Sequence, residues 1–89
     1  MTAVRNNRTA SRRSEFGRAV AVKLIETDQN QTWLALQLRC SRAYVSALLK
    51  GRKLASANTA DRVARAFGLI DHEITELHVA AARDRGFRV

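Results

Sequence analysis

The stretch Asn30–Lys53, NQTWLALQLRCSRAYVSALLKGRK, constrains this chain more than any other. It reads as two short helices joined by a tight turn. Asn30 is a good N-cap, because its side-chain oxygen can accept from a backbone N–H that has no partner within the helix. Leu34, Ala35 and Leu38 then follow at helical spacing and make an inward stripe. Arg39, Cys40 and Ser41 form the bend, and Ser41 caps a second helix from Arg42 to about Lys50, with Val45 and Leu48 on its inner face. Gly51 stops that helix, since the residue just past a helix end usually needs a positive φ that a Cβ makes costly.

The second of these helices points small side chains, Ala43, Ser46 and Ala47, outward beside Arg42 and Tyr44, so its backbone can approach a grooved partner closely. The charge is placed to match. Arg39, Arg42, Lys50, Arg52 and Lys53 give residues 39–53 a net charge of +5, and residues 1–14 carry +4, while 15–38 carry −1 and 54–89 carry none. The overall charge of +8 is thus focused on one helix, the loop after it and the N-terminal segment, the distribution expected of a surface that neutralises phosphates.

From about Phe16 to Leu69 the sequence resembles the Cro/Xre type of helix-turn-helix found in phage repressors and many bacterial regulators. The resemblance rests on N-Q-T-W-L-A from Asn30, on L-R-C-S-R-A-Y-V-S-x-L-L-K-G-R from Leu38, and on R-V-A-R-A-F-G-L from Arg62. Each piece is common; their order and spacing make the match specific. It implies an all-α, five-helix, lambda-repressor-like domain, and a sequence-specific transcriptional regulator of double-stranded DNA, a repressor before an activator, of phage or mobile-element kind. It also implies a homodimer, because many such regulators read two half-sites as two-fold dimers. In that reading the helix 42–50 enters the major groove. Arg42 reads a base edge, most naturally guanine through O6 and N7, Ser46 bonds a base or phosphate, and Ala43 and Ala47 touch thymine methyl groups. Gln31 resembles the family's phosphate-clamping glutamine, and Tyr44, Lys50, Arg52, Lys53 and Asn58 would fix the protein on the backbone. Two positions depart from the pattern. Arg39 stands in the turn where glycine is frequent, and Leu49 where a polar residue is common.

The remaining chain divides around that unit. Residues 1–13 hold Arg5, Arg8, Arg12 and Arg13, no acid and almost no large apolar group, which predicts a mobile basic arm: either an idle terminus, or one whose arginines track phosphates or enter a minor groove. Ser14 caps a first helix running to about Thr27, with Phe16, Val20 and Leu24 inward and Ala19 and Ile25 widening the stripe. Ser56 caps a helix over Ala57–Phe67 in which Ala60, Val63, Ala64 and Phe67 fit the helical template, and Gly68 stops it. Asp71 is expected to cap a last helix, His72 to about Arg83, carrying Ile74, Leu77 and Ala81 on one side, with Gly86 ending it. The domain is therefore expected over 14–70, with 71–89 a C-terminal helix and an apolar tail, Phe87 and Val89, that folds back or pairs with a second copy. Trp33 and Leu36 lie off the inward stripe. Either they are isolated exposed apolar residues, or the tryptophan packs over the first helix or meets another subunit.

Nothing in the chain suggests an enzyme. Cys40 is a lone cysteine in a turn, expected to be a small buried hydrophobe, and His72 and His78, six residues apart, fall on different faces of a helix with no zinc-ligand spacing. No glycine-rich phosphate loop, metal motif or catalytic triad pattern is visible, so no cofactor is expected. The absence of proline and of alternating β-branched runs argues against a sheet. The single cysteine and the lack of a signal-like or membrane-length segment point to a bacterial cytoplasm. Two rivals remain: an antitoxin-type protein-interaction module of the same fold that binds a cognate toxin through Trp33, Leu36 and Phe87, and a nonspecific nucleic-acid-binding protein held by phosphates alone.

Overall fold

A computed structural model describes residues 14–86; the arm arginines Arg5, Arg8, Arg12 and Arg13 and the tail residues Phe87 and Val89 lie outside the described residues. Five helices and no strand make up the described residues: α1 Glu15–Glu26, α2 Gln31–Leu38, α3 Arg42–Lys50, α4 Ala57–Phe67 and α5 Asp71–Asp84. Four of the five begin where a short polar side chain was expected to cap them. Ser14 Oγ accepts from Gly17 N–H at 2.6 Å, Asn30 Oδ1 from Trp33 N–H at 2.9 Å, Ser41 Oγ from Tyr44 N–H at 3.0 Å and Ser56 Oγ from Thr59 N–H at 3.1 Å. The fifth start corrects the expectation. Ile70, not Asp71, is the N-cap of α5, and the Glu73 carboxylate accepts the Ile70 N–H at 3.1 Å, while Asp71 sits inside the first turn. There its negative charge still favours the helix's positive end.

Four helices end in one way. In α1, α2, α3 and α4 the last turn closes through paired hydrogen bonds: Asp28 N–H to Ile25 O with Gln29 N–H to Leu24 O, Arg39 N–H to Leu36 O with Cys40 N–H to Ala35 O, Gly51 N–H to Leu48 O with Arg52 N–H to Ala47 O, and Gly68 N–H to Arg65 O with Leu69 N–H to Ala64 O. This arrangement needs a left-handed residue just beyond the helix. Gly51 and Gly68 supply it at φ +79° and +67°, while Asp28 and Arg39 supply it at φ +57° and +58° without the freedom of a glycine; aspartate tolerates that region better than arginine.

The core is one cluster to which every helix contributes. Phe16, Val20 and Leu24 of α1, Leu34, Ala35 and Leu38 of α2, Val45 and Leu48 of α3, Ala60, Val63 and Ala64 of α4 and Leu77, Ala80 and Ala81 of α5 are buried, with Ala55 of the α3–α4 loop. Burial of each larger side chain contributes about 1.5–3 kcal/mol. Ile25 does not join them: it is 79% exposed, so the inward stripe of α1 is narrower than its sequence suggested. Trp33 is not an isolated exposed residue: its ring packs at 5.3 Å from that of Phe67 on α4, and both rings are half-buried against the core. Cys40 is half-buried against the core edge, less enclosed than expected.

The last helix ties the domain together. α5 packs on α1 and α4, and three polar links join it to α1. Asp84 accepts the Glu15 and Phe16 N–H groups, Arg83 meets Glu15 at 3.4 Å, and Lys23 meets Glu73 at 2.9 Å. Beyond it, Arg85 donates to Ala55 O at 2.6 Å and fastens the α3–α4 loop. The mutual hydrogen bond holds the Glu73 carboxyl below its ordinary range and raises the Lys23 ammonium above its own. What this pair adds to stability should therefore be whole around neutral pH, lost as pH falls through Glu73's depressed range and lost again as it rises through Lys23's raised one. A denaturant titration of Glu73→Gln against the native chain should show a gap at pH 7 that closes in acid; a gap independent of pH would assign the effect to helix capping.

α1 crosses α3 at a glycine. A Cβ on Gly17 would stand 2.5 Å from Leu49 O and 2.8 Å from Leu48 O, both backbone atoms, and 2.7 Å from Ser14 Oγ. In an open helix, alanine for glycine stabilises by about 1 kcal/mol. Here Gly17→Ala should instead destabilise by about 1–3 kcal/mol through overpacking, read as a lower denaturation midpoint at unchanged slope.

Candidate nucleic-acid interface

α3 carries most of the expected site residues, and its own geometry sorts them. At about 100° per residue, Arg42, Ser46, Lys50, Ala43 and Ala47 fall within an arc of about 140°, and Tyr44, Leu48, Val45 and Leu49 fill the rest of the circumference. Burial follows that division: Val45 and Leu48 are buried, Tyr44 and Leu49 are half-buried, Arg42, Ala43 and Lys50 are exposed, and Ser46 and Ala47 stand at the margin. The outward arc is thus a cation at each end with a hydroxyl and two methyl groups between them. Such a surface is narrow enough to sit in a groove and has a donor at Arg42 that no acceptor among the described residues occupies.

The neighbouring elements add to this face. The loop after α3 bends back on it, since the Arg52 and Lys53 N–H groups both donate to Ala47 O, at 2.9 and 3.3 Å, and both side chains are exposed. Asn58 lies exposed in the first turn of α4, and Gln31, half-buried, is the first residue of α2. Tyr44 is placed differently from the expectation of a free phosphate donor. Its hydroxyl lies 3.5 Å from Thr59 Oγ1, so the ring spans from α3 to α4 and the hydroxyl already has a partner. Leu49, the apolar departure from the family pattern, packs against the core edge, with its carbonyl against Gly17.

The pairing of cations separates this face from the rest of the molecule. Lys23, Arg65 and Arg83 make ion pairs, Arg62 donates to Leu38 O at the end of α2, and Arg85 donates to Ala55 O. By contrast, the side chains of Arg39, Arg42, Lys50, Arg52 and Lys53 make no ion pair or hydrogen bond among the described residues. Arg18, exposed on α1 beside the Gly17 crossing, is also without a partner there. Nothing in the residue order singles it out, because a lone charge on an amphipathic helix reads as a solvated one. Its signal is its neighbour: the glycine that lets α1 touch the end of α3.

Among the described residues no group of three or more His, Cys, Asp and Glu side chains could hold a metal ion, and no helix is long and apolar enough to cross a membrane. His78 faces Asp61 at 3.5 Å, apart from His72. Comparison of the chain with protein-family models, with curated proteins and with solved structures finds no match in any of the three.

Arg39 joins the site through its backbone as well as its charge. A left-handed non-glycine residue costs about 1–2 kcal/mol. Arg39→Gly should therefore raise stability by about 1 kcal/mol in chemical denaturation; a fall would mean that the arginine side chain holds the turn by contacts of its own.

Proposed function

We propose that this chain is a sequence-specific DNA-binding transcriptional regulator of the Cro/Xre helix-turn-helix kind, with α2, the turn 39–41 and α3 as the motif. The observation that carries the reading is the outward arc of α3, small and polar with a cation in its first and last residue, set among cations that have no ion pair or hydrogen bond among the described residues. α3 enters the major groove, where Arg42 reads a base edge and Ser46, Ala43 and Ala47 make the close contacts that small side chains permit. Gln31, Lys50, Arg52, Lys53 and Asn58 orient the domain on phosphates, with the arm arginines Arg5, Arg8, Arg12 and Arg13 adding to the electrostatic attraction. Tyr44 acts mainly as a strut between α3 and α4. Two copies bind as a homodimer across two half-sites.

One observation favours a second reading, a protein-interaction module of antitoxin type. Leu36 is 71% exposed on α2, the helix whose Gln37 lines an open concavity of about 290 Å³ with Arg62, Arg65 and Ala66. Trp33 lends it less support, since much of its ring is taken up by Phe67. Co-purification with a small neighbouring protein through Leu36, abolished by Leu36→Glu, would favour it.

Selection of bound sites from a random duplex library at physiological salt tests the main reading. The expected product is a palindromic consensus with half-site centres about 34 Å apart. Against that consensus Arg42→Ala should lose about 1–3 kcal/mol and relax preference at one base pair per half-site. Equal affinity for all duplexes would leave a nonspecific binder.

A further inference from the structure

We infer that Arg18, on α1, is a further DNA-contacting residue: with Lys50 it grips the sugar–phosphate rim of the groove at the C-terminal end of α3. The inference rests on the DNA-binding reading above and names a contact outside the helix-turn-helix motif. An exposed arginine on a helix can be neutralised by an acid three or four residues away on the same face. Around Arg18 those positions are Ser14, Glu15, Ala21 and Val22, and the one acid among them, Glu15, is held by Arg83 of α5 at 3.4 Å. The exposed Arg18 side chain thus makes no ion pair or hydrogen bond among the described residues. Outside residues 39–53 it is the one described cation of which this is true; Lys23, Arg62, Arg65, Arg83 and Arg85 are all engaged.

Its position on α1 is turned toward α3. Gly17, against the Leu48 and Leu49 carbonyls, marks the direction of that helix. From Gly17, Arg18 stands about 100° round α1 on one side, whereas Lys23, which meets Glu73 of α5, stands about 120° round on the other. Lys50 is bonded to the Leu49 carbonyl itself, so Arg18 and Lys50 flank the crossing, one from each helix. The amides of the first turn of α1 are closed to an anion: Asp84 accepts those of Glu15 and Phe16, and Ser14 that of Gly17. What α1 offers there is the guanidinium alone. From Arg42 to Lys50 α3 rises about 12 Å, comparable to the major-groove width of about 12 Å. With Arg42 on the base edges, the opposite end of α3 has that distance in which to leave the groove floor, and Lys50 and Arg18 meet phosphates at the rim. A guanidinium fork suits two phosphate oxygens. Such a contact adds affinity and orientation but no base preference.

The test pairs residue with phosphate in the full chain. On the selected duplex each phosphate in turn is replaced by a neutral methylphosphonate. Affinities are measured for the native chain, Arg18→Ala, Lys50→Ala and a control of equal charge, Arg65→Ala, whose guanidinium is already paired with Asp61. Circular dichroism verifies that each variant is folded. Arg18→Ala should weaken binding about three- to tenfold at physiological salt, lower the slope of log affinity against log salt by about one, and leave the selected consensus unchanged. At one phosphate per half-site a methylphosphonate should cost the native chain affinity and cost Arg18→Ala none, and Lys50→Ala should pick out the same phosphate or its neighbour. Arg18→Lys should restore most of the salt slope, and Arg65→Ala should reproduce none of these effects. A loss in Arg18→Ala no greater than in Arg65→Ala, a loss tied to no particular phosphate, or a loss confined to one base pair would overturn the inference while leaving the DNA-binding reading intact. A native chain that holds no duplex even at low salt would overturn that reading and the inference with it.

Discussion

A helix that is to meet an outside surface must be held from behind, and α3 has little to be held by. Of its nine residues only Val45 and Leu48 are buried, so the direction of its outer arc is set by two side chains and by whatever fixes its ends. Ser41 fixes the first end through the cap on Tyr44, and Gly51 the second through the left-handed turn that brings Arg52 and Lys53 back to Ala47. Tyr44 braces one flank against α4, and α1 presses on the Leu48 and Leu49 carbonyls through Gly17. If any of these supports shifted, two buried side chains alone would resist a turn of the helix about its axis. A rotation of one residue's worth, about 100°, would in one sense carry Arg42, Ser46 and Lys50 off the outer arc and expose Tyr44 and Leu48, and in the other bring Val45 and Leu49 onto it.

The supports differ in how far the sequence betrays them. The four caps at Ser14, Asn30, Ser41 and Ser56 were legible because a cap is local: a short polar side chain reaches the N–H three residues on, and an apolar period begins beside it. Ile70 was not, since an isoleucine has nothing to cap with and the work passes to Glu73, while Asp71 next door has the chemistry a cap requires. Core positions at strict helical spacing were legible too. Ile25 misled because its apolar character was taken for burial, and a stripe of three, Phe16, Val20 and Leu24, already fills the space beneath α1. Gly17 and Asp84 were invisible for a different reason. Their partners are a carbonyl pair more than thirty residues away and two amides at the opposite end of the chain, and neither relation leaves a period or a motif.

Charge sharpens the candidate site in a way that counting charges does not. The α4–α5 half is as rich in arginine as the α3 region, yet its acids neutralise it, and two of its arginines, Arg62 and Arg85, are committed to carbonyls at Leu38 and Ala55. These two bonds close chain ends: one satisfies the last turn of α2, the other steadies the loop below Lys53. Exposed ion pairs such as Arg65–Asp61 add little stability and much neutrality. The unpaired cations around α3 are left in mutual repulsion, a cost the fold could have avoided by placing a single acid among residues 39–53. On the proposed reading, phosphates relieve that repulsion when the domain binds.

Arg39 brings these strands of the argument together. Four helices end in the same hydrogen-bonded turn, two with glycine at the left-handed position, one with aspartate, which tolerates it, and one with arginine. The backbone penalty of about 1–2 kcal/mol is a substantial part of a small domain's stability. No ion pair or hydrogen bond of its side chain among the described residues offsets it. What the arginine adds over glycine is one cation in the bend between α2 and α3, three residues before Arg42, where the outer arc begins. A residue that weakens the fold at the turn while extending its positive face has its compensation outside the folded chain, and a polyanion lying along α3 is a partner that would supply it.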